Sequence, residues 1–193
     1  MRVLIFGSSL CRYLKEYDSI QRYIIQGQVV QLSYRYFSGE SFDDFLGKPD
    51  KIDNVLRCKP DIVLTIFGAN SIKGEVEKKV VLENCTEFFG LLRQRVDLLC
   101  PETIIVASQL PLRFAKDGNR FKTPNADEFK IFRDKVDKKL KSIKTIDRLM
   151  LIADPGRLDI KEYFKSDGVH FNPTGVAVHF DLILNFIGDY LQS

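Results

Sequence analysis

The sequence has no long hydrophobic run and no recognisable leader. All its apolar stretches fall short of the roughly 18 to 20 residues that a membrane-spanning helix needs. The apolar start of the chain, residues 3–6, is too short for a signal peptide. We therefore expect a cytoplasmic protein. Because the first strand-like run begins so soon after Met1, we also keep open that the chain is an excised domain of a longer protein.

Cysteine and histidine are scarce as well. The four cysteines lie far apart and form no C-x-x-C pair, which argues against a zinc site or a redox motif. We predict no metal, no organic cofactor, and free buried thiols as in a reducing compartment. The only histidines are His170 and His179. Since His179 falls inside a helical pattern beside Phe180, we interpret it as structural or solvated.

Length and charge fit one ordinary globular domain. A chain of 193 residues, 45% hydrophobic and 28% charged, is large enough for one core and small for two. We predict a single domain over residues 1–193, acting as a monomer. Residues 113–148 hold 12 lysines and arginines against 6 acidic residues. Within them, residues 130–144 form either a solvated helix face or a contact surface for a membrane or nucleic acid.

Apolar strand-like runs alternate with helical patterns along the chain. The runs are short and β-branched, as buried parallel strands are, and they cover residues 3–6, 29–32, 61–67, 103–107 and 149–152. Apolar residues at helical spacing occupy 81–99, 129–143 and 176–191, and a short helix is expected around 52–56. This alternation predicts a parallel sheet with helices on both faces.

Residues 108–125 are predicted to form a long loop. Loops of this length in a compact domain are usually functional or mobile. Four apolar side chains within it form either a lid or acyl-chain wall, or a patch that packs on the domain: Leu110, Leu112, Phe114 and Phe121.

Polar residues follow several of the predicted strands and precede the last helix. These blocks are Gly7-Ser8-Ser9-Leu10, Phe37-Ser38-Gly39-Glu40, Phe67-Gly68-Ala69-Asn70-Ser71 and Asp167-Gly168-Val169-His170-Phe171-Asn172-Pro173. In a doubly wound sheet, residues just past the carboxyl ends of the strands line one crevice. We therefore expect the four blocks to meet.

The chemistry of these blocks suits acyl transfer. A serine at a strand-to-helix turn exposes its hydroxyl, and its own N–H can donate to an oxyanion. Glycine permits close backbone approach, and an asparagine amide adds a donor. Asp167 and His170, three residues apart, can form a carboxylate–imidazole pair. Taken singly, each block also has an ordinary explanation, as a helix N-cap, a turn or a surface histidine.

In order and spacing the four blocks resemble the SGNH hydrolase superfamily, also called GDSL esterases and lipases, over essentially the whole chain. The resemblance implies that Ser9 is the nucleophile, His170 the general base and Asp167 the residue that orients the base. It also implies an oxyanion hole made by the N–H groups of Ser9 and Gly39 and by the side chain of Asn70.

The same resemblance implies a fold and an activity. The fold is a three-layer α/β/α sandwich with a five-stranded parallel sheet in the flavodoxin-like order 2-1-3-4-5. The activity is hydrolysis of carboxylic esters, including lipid or acetyl esters, through an acyl-enzyme and without a cofactor.

Two positions depart from the family pattern. The usual Gly-Asp-Ser-Leu has Ser8 in place of its aspartate, and the usual Gly-x-Asn-Asp ends in Ser71. Both changes remove supporting carboxylates, which puts the rigidity of the loops and the rate in doubt. The Gly-Ser-Ser variant also resembles esterase domains of some retrotransposon-encoded proteins. Ser8 is a rival nucleophile to Ser9, although the family register favours Ser9.

A binding module is the alternative hypothesis. Weak loop support and the basic stretch fit an SGNH-like domain of low activity that holds RNA, lipid or protein through its basic face. The complete set of serine, histidine, aspartate and asparagine favours the enzyme, because a binding module has no physical need for these four at one crevice.

Overall fold

A computed structural model describes residues 1–72, 77–111, 113–114, 124–150 and 161–193 of the chain. The strands are β1 (Arg2–Gly7), β2 (Arg22–Ile25), β3 (Gln28–Tyr36), β4 (Ile62–Ile66), β5 (Ile104–Ser108) and β6 (Arg148–Met150). The helices are α1 (Ser9–Tyr17), α2 (Pro49–Leu56), α3 (Lys78–Leu99), α4 (Ala126–Ser142) and α5 (Pro173–Gln192), with a 3₁₀ turn at Lys161–Tyr163 before α5.

The strands form one sheet in the order β2-β3-β1-β4-β5-β6. All neighbours are parallel except β2 and β3, which are antiparallel. The five predicted strands are β1, β3, β4, β5 and β6, so their predicted order 2-1-3-4-5 is confirmed. The prediction of five strands was wrong, because β2 adds a sixth at one edge.

The extra strand is half of a hairpin. Ile25 pairs with Gln28, so only Gln26 and Gly27 connect β2 to β3. Both turn residues have positive φ angles, 50° and 76°, as a two-residue hairpin turn of type I′ requires. Four residues with two largely exposed side chains carry too little apolar pattern to be recognised as a strand.

Helices cover both faces of the sheet, as predicted. On one face, α2, α3 and α4 pack on side chains that include Leu4, Phe6 and Val63. On the other face, α1 and α5 pack together on side chains that include Val3 and Ile5. Alternate residues of β1 thus point into two separate cores, as in any strand buried on both sides.

Several smaller expectations can be compared with the structure. All four cysteines are free, but Cys58 is exposed, so the expectation that every thiol is buried was wrong. Cys58 lies two residues after the end of α2 and belongs to neither hydrophobic core. None of the helices in the described ranges is both long and apolar enough to cross a membrane.

The long loop and the basic stretch are only partly described. Leu110 is buried and Phe114 packs against both cores, which fits the packing interpretation of the loop, whereas Leu112 and Phe121 lie outside the described residues. The predicted strand residues 151–152 also lie outside them. On α4 and just after it, the lysines exposed to solvent are Lys130, Lys135, Lys138, Lys141 and Lys144. A role for this face in binding stays a prediction.

Candidate active site

The carboxyl ends of three central strands lie side by side. Gly7, the last residue of β1, is in register with Tyr36 of β3 and with Ile66 of β4. Beyond these ends, Phe37 N–H donates to Gly7 O at 2.9 Å and Ser8 N–H donates to Ile66 O at 3.4 Å. The three polar blocks that follow the strands therefore start from the same edge of the sheet.

A cavity of about 460 Å³ opens at this edge. Four of the five predicted site residues, Ser9, Gly39, Asn70 and His170, line it. The fifth, Asp167, lies behind His170 and is bonded to it. The remaining described lining residues are Arg12, Tyr13, Ser38, Ile72, Arg113 and Val169. The structure thus brings all the predicted residues together, although they come from both ends and the middle of the chain.

The turn between β1 and α1 distinguishes the two neighbouring serines. Ser8 is the N-cap of α1, is 2% exposed and does not line the cavity; its side chain makes no capping hydrogen bond. Ser9 is the first residue of the helix, lines the cavity and forms no hydrogen bond with another described residue through its hydroxyl. A Cβ on Gly7 would lie 2.9 Å from Ile66 O, so this tight turn needs glycine. Of these two serines, only Ser9 lines the cavity.

Gly39 and Asn70, the other two predicted residues of the oxyanion hole, also line the cavity. Gly39 has a φ of +84°, and a Cβ placed there would meet no atom within 4 Å, so its backbone is open to approach. The Asn70 Nδ2 group donates to Glu40 O at 3.1 Å, while Asn70 Oδ1 accepts from Arg113 Nη2 at 2.9 Å. Because arginine can only donate, this contact fixes which way the amide points. One N–H of the amide has no acceptor among the described residues.

Ser71 supports the Asn70 loop in a way that the sequence did not reveal. Its hydroxyl accepts the N–H of Phe42 at 3.1 Å. Nearby, Gly68 has a φ of +116° and lies so close to Phe42 that a Cβ would be 2.9 Å from the ring. The loop that carries Asn70 is therefore bound to Phe42 by one hydrogen bond and one close packing contact, without the carboxylate usual in the family pattern.

Asp167 and His170 form a directed pair. His170 Nδ1 lies 2.9 Å from Asp167 Oδ2, and Asp167 Oδ1 accepts the backbone N–H groups of Val169 at 2.9 Å and His170 at 3.0 Å. Partial burial acts to raise the pKa of Asp167, but these hydrogen bonds outweigh it and hold the pKa below its ordinary value. An ionised carboxylate only accepts, so Nδ1 carries the proton and Nε2 is left as the basic nitrogen.

The turn that carries this pair is fixed on two sides. Phe164 and Phe171 form an antiparallel bridge, and Lys165 N–H donates to His170 O at 2.7 Å. From the other side, Phe114 N–H donates to Gly168 O at 2.7 Å. The long loop that contains Arg113 is thus joined directly to the turn that holds the imidazole.

Sequence reasoning missed the charged and aromatic residues of the cavity lining, Arg12, Tyr13 and Arg113. The first two follow Ser9 by three and four positions, so a helix starting at Ser9 places them on its face, and this spacing could have revealed them. The Tyr13 ring packs edge-on against His170, with 5.7 Å between ring centroids. Arg113 comes from a loop whose path no local pattern fixes.

Arg113 is a buried cation. It is 5% exposed, and its guanidinium lies 5.6 Å from the centre of the Phe129 ring. Burial lowers the pKa of Arg113 to about 10, against the opposing effect of the Asp167 charge. The group therefore stays charged at neutral pH, next to the amide of Asn70. No group of histidine, cysteine and acidic side chains that could hold a metal occurs within the described ranges.

Comparison with known proteins gives matches in structure but none in sequence. No protein-family model matches the chain, and no curated protein is similar to it. Among solved structures, a lipase/acylhydrolase from Enterococcus faecalis is 20% identical, with a TM-score of 0.63 over 98% of this chain and 96% of its own. A GDSL-like lipase from Bacteroides thetaiotaomicron is 16% identical, with a TM-score of 0.66 over 98% and 88%.

A psychrotrophic esterase from Pseudoalteromonas is similar over its full length as well. It is 17% identical, with a TM-score of 0.64 over 100% of this chain and 99% of its own. The chain therefore has the fold of GDSL-like lipases and acylhydrolases, as the resemblance to the SGNH hydrolase superfamily implied. The narrower likeness to retrotransposon-encoded esterase domains stays a prediction.

Proposed function

We propose that this protein is a serine esterase that hydrolyses carboxylic esters through an acyl-enzyme on Ser9. One observation carries the proposal: Ser9, His170 and Asn70 line the same cavity, with Asp167 bonded behind the imidazole. A serine, a tautomer-fixed histidine and preset donors around one space are the parts that acyl transfer requires.

The proposed reaction has two steps. His170 Nε2 takes the Ser9 proton as Oγ attacks the ester carbonyl, and the oxyanion is held by the N–H groups of Ser9 and Gly39 and by the Asn70 amide. The intermediate expels the alcohol, which receives the proton from His170. Water then attacks the acyl-enzyme with His170 again as base, and the carboxylic acid leaves. Asp167 keeps the imidazole in the required tautomer throughout.

Arg113 has a positioning role in this proposal. Its hydrogen bond to Asn70 Oδ1 fixes which end of the amide is the donor, and one amide N–H bonds to Glu40 O. We propose that the other N–H donates to the oxyanion. Since the donor is set before the reaction starts, little reorganisation is needed when charge develops on the substrate oxygen.

The solved relatives agree with this reaction class and suggest probes. One of them is an acetyl xylan esterase, 15% identical with a TM-score of 0.63, and the Pseudoalteromonas esterase was solved inhibited by monoethylphosphonate. We accordingly propose a small ester as substrate, with lipid esters as the wider class, and a monomeric enzyme with no cofactor.

A phosphonate probe and a chain-length series test the proposal. A fluorophosphonate should label the wild-type protein and the Ser8→Ala variant but not Ser9→Ala, because Ser9 lines the cavity and Ser8 does not. The wild type should hydrolyse p-nitrophenyl esters, with the highest kcat/KM at short acyl chains. Equal labelling of wild type and Ser9→Ala would remove Ser9 from its role. No hydrolysis at any chain length, together with salt-sensitive RNA binding, would favour the binding module instead.

A further inference from the structure

The loop that carries Gly39, residues 37–45 and named the Gly39 loop below, is joined to helix α2 by an ion pair. Lys51, in the first turn of α2, donates from Nζ to Glu40 Oε1 at 2.6 Å. The two side chains are only 27% and 26% exposed. Glu40 directly follows Gly39, which is one of the three proposed oxyanion donors. The ion pair therefore acts at the position next to a proposed donor.

Glu40 also contacts the proposed donor from another loop. Its backbone O accepts a hydrogen bond from Asn70 Nδ2 at 3.1 Å. Its own backbone N–H donates to Phe37 O at 3.3 Å, which closes the turn that contains Gly39. The side chain of Glu40 thus binds α2, while its main chain binds Asn70 and closes the Gly39 turn. A displacement of Glu40 would therefore move two of the three proposed oxyanion donors together.

The position of Lys51 is restricted by aromatic rings and by its helix. Its ammonium lies 5.2 Å from the centre of the Phe37 ring and 4.8 Å from the centre of the Phe45 ring. Because a cation is attracted to the face of an aromatic ring, these contacts limit the positions that the ammonium can adopt. The next residue, Ile52, is fully buried, and α2 packs against α3. Lys51 is therefore a firm support for the Glu40 side chain.

The Glu40 carboxylate depends on Lys51. Among the described residues, Lys51 is its one ion-pair partner, through Oε1, and the buried Oε2 forms no hydrogen bond with any of them. An unpaired carboxylate is costly to keep away from water. Without Lys51, we therefore expect the Glu40 side chain to turn outward and to displace the backbone that bonds to Asn70.

We infer that Lys51 is a positioning residue of this site: through Glu40 it holds Gly39 and Asn70 where both can donate to the oxyanion. The inference rests on the proposed esterase function and adds to it a residue outside the cavity, since neither Lys51 nor Glu40 is among the described residues that line it. Lys51 acts on the donors and does not touch the substrate. Its removal should therefore lower kcat and leave KM nearly unchanged.

A second ion pair on α2 provides a matched control. Arg95 of α3 bonds to Asp53 of α2 at 2.6 Å, and the two side chains are 21% and 26% exposed. This pair has the same length and nearly the same exposure as the pair of Lys51 and Glu40, but neither Arg95 nor Asp53 lines the cavity. Lys51→Met and Arg95→Met should therefore shift the urea midpoint of unfolding by similar amounts. A purely structural role for Lys51 would make their kcat values similar as well.

Steady-state kinetics on p-nitrophenyl acetate should separate the two variants. Lys51→Met should lower kcat by about 10- to 10²-fold, which is less than the complete loss of one oxyanion donor generally costs, and Arg95→Met should leave kcat unchanged. Lys51→Arg should keep most of the activity, because arginine also binds carboxylates and stacks on aromatic rings. Adding Glu40→Gln to Lys51→Met should lower kcat little further. Equal kcat in Lys51→Met and Arg95→Met, or fully additive losses in the double variant, would overturn the inference.

Amide hydrogen exchange separates this inference from the esterase proposal, because it needs no substrate. The backbone N–H groups of Glu40 and Phe42 are hydrogen-bonded, so exchange in the Gly39 loop reports whether the loop is held. Exchange there should be faster in Lys51→Met than in the wild type and unchanged in Arg95→Met. This difference without hydrolysis by any of the proteins would refute only the esterase function. Hydrolysis by the wild type, with the same exchange and the same kcat in Lys51→Met, would refute only the role of Lys51.

Discussion

The two walls of the cavity are built in different ways. The nucleophile wall, made of Ser9, Tyr13 and His170, belongs to α1 and to the turn before α5, and these two helices pack together on one face of the sheet. The oxyanion wall, made of Gly39, Asn70 and Arg113, comes from three loops. These loops are held by hydrogen bonds between one another and by the phenylalanines of the opposite core.

The difference shows that one part of the cavity is positioned by helices and the other part by loops. The start of α1 positions the proposed nucleophile, and the turn before α5 positions the proposed base. Loops fix the donors, and they need several mutual contacts to do so, such as Arg113 to Asn70 and Ser71 to Phe42. We expect single changes on the nucleophile wall to abolish the chemistry, and single changes on the oxyanion wall to reduce it.

The largest effect should come from His170 on the nucleophile wall. His170→Ala removes the general base and should lower kcat by about 10⁴-fold or more on any ester that the wild type hydrolyses. His179→Leu is the matched control, because the second histidine is buried in the core and does not line the cavity. A His170→Ala protein with wild-type kcat would contradict the expectation that single changes on the nucleophile wall abolish the chemistry.

Asn70→Ala on the oxyanion wall should have a smaller effect. The loss of one oxyanion donor generally lowers kcat by about 10²- to 10³-fold, while the backbone donors of Ser9 and Gly39 remain. Steady-state kinetics should show the loss mainly in kcat, since the donor acts on the transition state. The control is Asn185→Ala, an exposed residue of α5 outside this cavity. Full activity in Asn70→Ala would contradict its proposed place in the oxyanion hole.

His179 allows a test of the core behind the nucleophile wall. Both its ring nitrogens are buried without a partner among the described residues, and burial lowers the pKa of His179 to about 4. The pKa of His179 is lower in the folded state than in the unfolded state. The neutral ring therefore contributes stability above about pH 6.5, and this stability is lost as the pH falls toward 4. Between pH 7 and pH 5, the free energy of unfolding of the wild type should fall by about 2 kcal/mol more than that of His179→Leu, as measured by urea unfolding.

Asp137, a second buried titratable group, also changes the stability over this pH range. The test therefore compares the wild type with His179→Leu, because both proteins contain Asp137. Burial raises the pKa of Asp137 to about 6, so its contribution to stability is present below about pH 4 and is lost as the pH rises through 6. The two groups therefore act in opposite directions over the same pH range. Identical pH dependence of unfolding in wild type and His179→Leu would show that the imidazole is not held neutral.

The smallest effect is expected from Arg113→Met. The change removes the donor to Asn70 Oδ1 but leaves the amide in place, so kcat on a neutral ester should fall about tenfold, the scale of one hydrogen bond to a charged group. If Arg113 acts through Asn70, adding Arg113→Met to Asn70→Ala should cost little further activity in a double-mutant cycle. Fully additive losses would mean that Arg113 acts independently of the amide.

Much of the fold and the site could be predicted from local patterns. The five buried strands follow from β-branched runs, and the meeting of Ser9, Gly39 and Asn70 follows from the rule that strand ends share an edge. The place of His170 was implied by the resemblance to the family. The edge strand β2 could not, since it has four residues and only its Gln26-Gly27 turn marks it. Arg113 could not either, because loop side chains are placed by long-range contacts.

The two departures from the family pattern, Ser8 and Ser71, also show that contacts between distant loops cannot be predicted from local sequence. The sequence indicated that Ser8 and Ser71 replace two carboxylates, and we took both as a loss of support. The structure gives Ser71 a hydrogen bond to Phe42, while Ser8 is buried at the helix start with no capping bond. Which neighbour a short hydroxyl side chain finds depends on the path of another loop, and this information is not local.

The proposed nucleophile belongs to the first helix and the proposed base to the turn just before the last one. During synthesis, a ribosome-bound chain that still lacks α5 would already display Ser9 but would have no docked imidazole to activate it. Hydrolysis would therefore begin only when the final helix has settled against α1. A latent serine of this kind makes catalytic turnover a direct report that α5 has been synthesised and has docked, which could be followed with a fluorogenic ester in a timed translation reaction.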